Sequence, residues 1–448
     1  MTTKINPADT TIPAKTDAIS AKIAERVGAF IGRILAWPPI VWVLLAFLFF
    51  FIFYFIKPTF LNPFHQFLPY GNFPTIEPDG ADLRQYLDFS KALVEKGSPY
   101  INPNYYPPLE SLFFLPLTYT TPDRAYVILT MVSFVCFFGI TLLFPLLLSR
   151  ERRISAILAF VLISGLFSYG VLFEIERGQF DIIVMTLCLA GLYLYHYHPR
   201  LRWLGYVLFS LSIQIKIFTG IFILCFTRDW HDWKRNLLRW GGLLLANLAA
   251  LFALGPKVFS DFITAIRTQT QVPSYVWVGN HSINSFTKIL IAKISEHGID
   301  PHTPILQTYQ TLMQLGLLAV YGLCLASVLW IVYRKRLNPL NPYLILVLAV
   351  GGMVIPTTSH DYKLSIFAAP VALFLNGLEW RRSGRLLIDI LSTLLVGVIS
   401  VAYTSMLFLH NSLPLLLNSN LPALLLIAAA AMILMWVRER GKEQGGAT

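Results

Sequence analysis

Three short polar clusters carry nearly all the chemistry this chain can offer. The first lies in residues 77–117, which read EPDGADLRQYLDFSKALVEKGSPYINPNYYPPLESLFFLPL. Here Asp82, Gln85, Tyr86 and Phe89 are spaced i, i+3, i+4, i+7 and so share one face of a helix. The second is Glu174, Glu176, Arg177, Gln179 and Asp181, and the third is Ser359-His360-Asp361-Tyr362-Lys363. Asn280, His281 and Asn284 are further candidates, and Asn280-His281-Ser282 also fits a glycosylation acceptor. One carboxylate among several cations suits one reaction class. The carboxylate takes a proton from an acceptor hydroxyl, while the cations stabilise a departing phosphate. Each cluster also has an ordinary reading, as an interfacial loop with an aromatic belt or as charged caps bordering apolar helices.

The elements that must position these residues are apolar helices. Hydrophobic residues make up 56% of the 448-residue chain and charged residues only 13%, against about 25% charged in soluble domains. Windows of ~20 apolar residues recur from residue 37 to 437, the pattern of an all-α polytopic membrane protein. The net charge of +11 comes from Lys and Arg gathered in short segments such as SRERR, HPRLR and EWRRSGR. That placement fits the positive-inside pattern and argues against nucleic-acid binding.

Flanking charges place residues 1–36 as a cytoplasmic tail, 37–56 as a retained first span, 57–124 as a first external loop and 256–310 as a second. The membrane domain runs to 437, and a cytoplasmic tail, 438–448, ends in a disordered GKEQGGAT. Spans are expected at 125–148, 154–173, 180–197, 237–255, 311–333, 343–357, 364–378, 386–408 and 421–437. Segment 203–227 breaks the alternation, because basic residues flank it on both sides. Two short helices meeting near 214–220, with Lys216 towards the external side, restore it and bring the count to about twelve. The alternative is one span with Lys216 buried or snorkelling. All three polar clusters then face the same side.

The loop 57–124 is expected to fold as helix, turn, rigid aromatic strip, helix. Gly97-Ser98-Pro99 is a stop signal, and Tyr105-Tyr106-Pro107-Pro108 cannot continue a helix. Cys136, Cys188, Cys225 and Cys324 all lie in apolar segments, as buried apolar residues rather than disulfides or metal ligands. No GxGxxG, Walker A, HExxH or CxxC pattern occurs, so neither nucleotide nor structural zinc is expected.

The order Asp82-x-x-x-Tyr86, Gly97-Ser98-Pro99-Tyr100, Tyr106-Pro107-Pro108-Leu109, Pro116-Leu117, Gly178-Gln179, Ile215-Lys216, Asn280-His281-Ser282 and His360-Asp361-Tyr362 resembles glycosyltransferase family 87. The resemblance implies a GT-C membrane fold and inverting transfer of a mannose-like hexose or an arabinofuranose. The donor would be a polyprenyl-phosphate-linked sugar and the acceptor a hydroxyl of a lipid or glycan, on the external or periplasmic face of the cell membrane. It implies Asp82 as general base, with Tyr86 positioning it and Tyr105, Tyr106 and Pro107 as wall of the sugar or acceptor site. Arg177, Gln179, Asn280 and His281 would line the cavity, Lys216, His360 and Lys363 would hold the lipid phosphate, and no metal or other cofactor is implied. A carboxylate is ionised at neutral pH unless strongly desolvated, as a base must be. A transporter or flippase of a lipid-linked sugar is the alternative, weakened by the lack of an internal repeat or of paired acids in mid-span.

Overall fold

The computed structural model describes residues 48, 51, 79–100, 104–148, 153–166, 168–269, 276–277, 279–296, 300, 303–377, 386–403 and 419–445. The tail 1–36 and, except for Leu48 and Phe51, the expected first span lie outside these residues. All the described regular structure is helical, and the only β pairing among the described residues is an isolated bridge between Asn280 and His360.

The described part of the expected first loop folds as α1 (Ala81–Lys96), the irregular stretch 97–109, α2 (Glu110–Phe114) and a 3-10 turn. Gly97 ends α1 in the left-handed region, its N–H bonded to the Leu93 carbonyl, as a glycine stop should. The buried face of α1 is Asp82, Leu83, Tyr86, Leu87, Phe89 and Ser90. Gln85, expected on that face, is exposed. At 3.6 residues per turn the face centres between Asp82 and Leu87, and Gln85 falls on its far side.

Next come α3 (Pro122–Leu148, with a π turn at Gly139–Leu143), α4 (Arg153–Leu166), α5 (Ser168–Arg177), α6 (Asp181–Tyr197) and α7 (Arg202–Ile215). After these the chain forms α8 (Trp233–Ala250), α9 (Pro256–Gln269), α10 (Ile283–Ser295), α11 (Pro304–Lys335) and α12 (Pro342–Val354). The last are α13 (Ala368–Gly377), α14 (Leu386–Tyr403) and α15 (Leu421–Gly445). α15 runs through most of the segment expected to be a disordered tail.

The helix does break at Lys216, whose backbone is extended (φ −145°, ψ 119°). Beyond the break the chain forms a 3-10 helix, Ile217–Cys225, rather than a second α-helix. The far end of this 3-10 helix returns to the start of the hairpin, since the Cys225 carbonyl bonds His196 near the end of α6 at 2.8 Å. The two basic segments around 200 and 228–239 therefore lie at the same end of the helices, which is what their charge demanded. α6 and α7 pack backbone to backbone: a Cβ on Gly191 would stand 2.7 Å from the Gly205 carbonyl oxygen. Small residues at such a crossing are the usual means of close helix contact in lipid.

α12 is the core, with every residue from Tyr343 to Val354 buried. It packs on α11, α13, α15 and the 3-10 helix 217–225. The outer helices are inverted. Only 28% of the apolar window of α11 is buried, and Leu312, Leu315, Leu323 and Trp330 are exposed. Surface of that extent is aggregation-prone in water and matched by lipid tails. By length and composition α3, α11 and α15 can each cross a membrane, as can the bent α4–α5 pair if it counts as one span.

Candidate active site

Two glycines bring the first two polar clusters together. Gly80 (φ 73°) precedes α1 and donates its N–H to the Glu176 carbonyl at 2.7 Å. Gly178 (φ 68°) turns the chain between α5 and α6. A Cβ there would stand 2.7 Å from Leu83 Cβ and 3.1 Å from Gly80 Cα. The start of α1 and the 176–179 turn can therefore touch because Gly178 lacks a side chain, while a Cβ on Gly80 would meet the Tyr126 ring at 2.7 Å.

At that contact Asp82 Oδ1 accepts from Arg177 Nη2, and Oδ2 accepts from Gln179 Nε2 at 2.6 Å. The other face of the Gln179 amide, Oε1, accepts from Lys216 Nζ at 2.8 Å. Lys216 is in turn paired with Asp181 Oδ2 at 2.6 Å, with both side chains nearly inaccessible. An ammonium only donates and a carboxylate only accepts. The Gln179 amide can thus point only one way, and Lys216 fixes the donor that Asp82 receives. Asp82 keeps lone pairs beyond these two bonds, and its side chain remains 11% exposed. A substrate hydroxyl could still reach it.

Aromatic rings wall this cluster. Tyr86 and Tyr106 share a hydroxyl–hydroxyl bond of 2.9 Å. Tyr86 stacks on Phe114 and meets Phe180 edge-on. Lys216 Nζ lies 4.1 Å from the Phe180 ring centroid. Tyr105 is half-buried. Pro107 closes the turn into α2, its carbonyl accepting from the Glu110 N–H at 3.0 Å. Glu110 is fully buried and burial pushes its carboxyl up to about 8, so it is protonated at neutral pH.

The third cluster faces the same space through Tyr362, whose ring centroid is 5.6 Å from Lys216 Nζ and 5.7 Å from His360. Lys363 is buried against Phe218 (4.8 Å) and makes no ion pair among the described residues. Asp361 takes Tyr169 on one oxygen (3.2 Å) and faces His281 Nε2 with the other (2.9 Å). His360 Nδ1 accepts from Trp277 Nε1 at 3.0 Å. Its pKa is lowered to about 3 by burial and by the neighbouring His281, Lys363, Arg177 and Lys216. His360 is accordingly neutral and can offer a phosphate an N–H but no charge.

Asn280 is a staple. Its Oδ1 accepts from the Ser359 and Ser282 N–H groups (2.9 and 3.2 Å), and its Nδ2 donates to the Thr357 carbonyl (3.1 Å). It is also buried, which removes it as a glycosylation acceptor. The turn after α1 and helix α9 meet independently of these residues, Ser98 Oγ donating to Asp261 Oδ2 at 2.8 Å.

The structure thus brings Asp82, Tyr86, Tyr106, Arg177, Gln179 and Lys216 into one cluster, with His281, His360 and Lys363 beside it across Tyr362. Asp181, Asp361 and Tyr362 stand in the polar clusters of the sequence without a role of their own there, and the partners missed from the sequence are Tyr169 and Trp277. Tyr169 sits in a largely apolar helix, and Trp277 lies three residues before Asn280 with nothing in its spacing to pair it with His360.

The model of glycosyltransferase family 87 matches residues 104–357, more than half of the chain. No curated protein and no solved structure matches it. The matched range takes in Arg177, Gln179, Lys216, Asn280 and His281, and stops just short of His360. Asp82 and α1 precede it.

Proposed function

The chain belongs to glycosyltransferase family 87 and is a membrane glycosyltransferase; from that premise we propose that it moves a sugar from a polyprenyl-phosphate carrier to a hydroxyl of a lipid or glycan, with inversion and with Asp82 as general base. The fold in this reading is GT-C, with about twelve membrane helices and the catalytic loop on the external face of the cell membrane. The observation that carries it is the double anchoring of Asp82. Arg177 and Gln179, nearly a hundred residues away, each bond one of its oxygens. Two such donors fix the carboxylate's orientation and leave its remaining lone pairs for the acceptor hydroxyl.

The incoming hydroxyl loses its proton to Asp82 as it attacks the anomeric carbon from the face opposite the phosphate. Charge then builds on the departing phosphate. Lys363 is the cation whose charge no carboxylate neutralises among the described residues, and the N–H of neutral His360 is the second donor. Lys216, already paired with Asp181, acts through Gln179 rather than on the phosphate. Tyr86, Tyr105, Tyr106 and Pro107 form the aromatic wall of the sugar site, and His281, oriented by Asp361, supports its far side.

The test is to supply purified protein in proteoliposomes with labelled polyprenyl-phosphate mannose or arabinofuranose and a crude lipid acceptor extract. A new glycosidic product supports the reading. Movement of the labelled lipid across the bilayer with no product overturns it in favour of transport.

A further inference from the structure

A polar cavity lies at the opposite end of the helices from Asp82. It measures about 480 Å³ and is lined by His196, Tyr197, Arg228, Asp229, Trp230 and residues 336–339. Three elements tie its position to the first site. α6 starts at Asp181 and ends at Tyr197, and its 17 residues span about 25 Å. The 3-10 helix starts beside Lys216 and ends at Cys225, and α12 starts just beyond this cavity and ends below the His360 turn. That separation approaches the ~30 Å hydrocarbon core of a bilayer, so with the proposed topology the cavity lies towards the opposite face.

Its charges are unspent. Arg228 and Arg336 form no ion pair and no side-chain hydrogen bond among the described residues. The cavity's carboxylate, Asp229, instead accepts from the His231 N–H at 3.0 Å. The remaining polar groups hold the walls, with Trp230 Nε1 donating to the Leu337 carbonyl (2.9 Å) and Asn338 Nδ2 to the Tyr197 hydroxyl (3.3 Å).

The backbone supplies a second, independent observation. Arg336 has φ 49°, the one left-handed residue other than glycine among the described residues. It caps α11 in the position where glycine is the favoured residue. Arg336 thus puts an arginine at a position where glycine is usual, and it lines the cavity.

We propose that this cavity holds the phosphate headgroup of an anionic phospholipid from the leaflet opposite the catalytic site. Two arginines suit a phosphodiester. Tyr197 and Trp230 suit the headgroup depth of a bilayer, and basic pockets between helices are a recurring form of lipid recognition. The cavity is far larger than a bare phosphate ion requires, which favours a headgroup over the free anion.

The full-length protein is reconstituted in phosphatidylcholine nanodiscs containing phosphatidylglycerol, and retained lipid is read by native mass spectrometry. Wild type is expected to retain one phosphatidylglycerol in preference to phosphatidylcholine, and millimolar inorganic phosphate to leave it bound. Replacing both arginines with glutamine should weaken retention roughly thirtyfold. Arg336→Gly keeps the helix cap, so it should melt no lower than wild type and still lose most of the lipid preference. Equal retention by the glutamine variant, displacement by inorganic phosphate, or no preference in wild type would each overturn the proposal.

Discussion

Lys216, which the sequence suggests as a phosphate ligand, is paired in the fold with Asp181 and Gln179, and we propose that it acts as a brace. Its ammonium is committed to Asp181 and to the Gln179 carbonyl oxygen, so Lys216→Met should strand a buried Asp181. Breaking a buried pair by removing one partner costs about 3–5 kcal/mol, measurable as a lower thermal midpoint. The double variant Lys216→Met/Asp181→Leu should recover that stability. It should still transfer sugar slowly, with kcat falling more than donor KM rises, because Gln179 is free to rotate away from Asp82. A rise in donor KM alone would instead make Lys216 a phosphate ligand. Lys363 makes the opposite prediction. Burial lowers its ammonium from the usual range to about 7, so its charge is present below that pH and lost above it. The kcat/KM for donor, which reports groups on the free enzyme, should fall as pH rises through about 7. Lys363→Arg should flatten that limb, and an unchanged profile would remove Lys363 from phosphate binding.

At the scale of elements, the active geometry depends on the contact between the start of α1 and the 176–179 turn. Gly178→Ala adds a methyl group that meets Leu83 and forces a left-handed backbone on alanine. The expected cost is about 1–3 kcal/mol of stability, with about a hundredfold lower kcat from displacement of Arg177 and Gln179. Activity near wild type in Gly178→Ala would show that the contact is not needed. Much of this level was legible in the sequence. The stop at Gly97, the break at Lys216 and the aromatic strip at 105–108 are local signals, written by glycine, proline and a charge in an apolar run. What was not legible was which residues meet. Nothing in the spacing says that Gln179 bridges Asp82 to Lys216, or that Trp277 bonds His360. Those contacts are made between segments up to 97 residues apart and depend on how the helices pack. Gln85 was misplaced for a related reason: four regularly spaced residues define a face, but only packing decides where its centre lies.

For the whole molecule, a buried helix, α12, packs among helices such as α11 whose outward faces are largely apolar. Composition alone revealed that inversion, because a chain with so few charges has too little polar surface to cover itself in water. The chemistry then concentrates at one end of the helices and a basic cavity at the other. The central claim is that Asp82 is the base of a sugar transfer at the first of these ends. It is tested most directly by comparing wild type with Asp82→Asn in proteoliposomes, measuring single-turnover transfer and donor binding on the same preparations. Asparagine keeps the size and the bond from Arg177 but cannot take the proton. Donor affinity should stay within about threefold of wild type while transfer slows by about 10²–10⁴. Transfer by Asp82→Asn at the wild-type rate would contradict the claim.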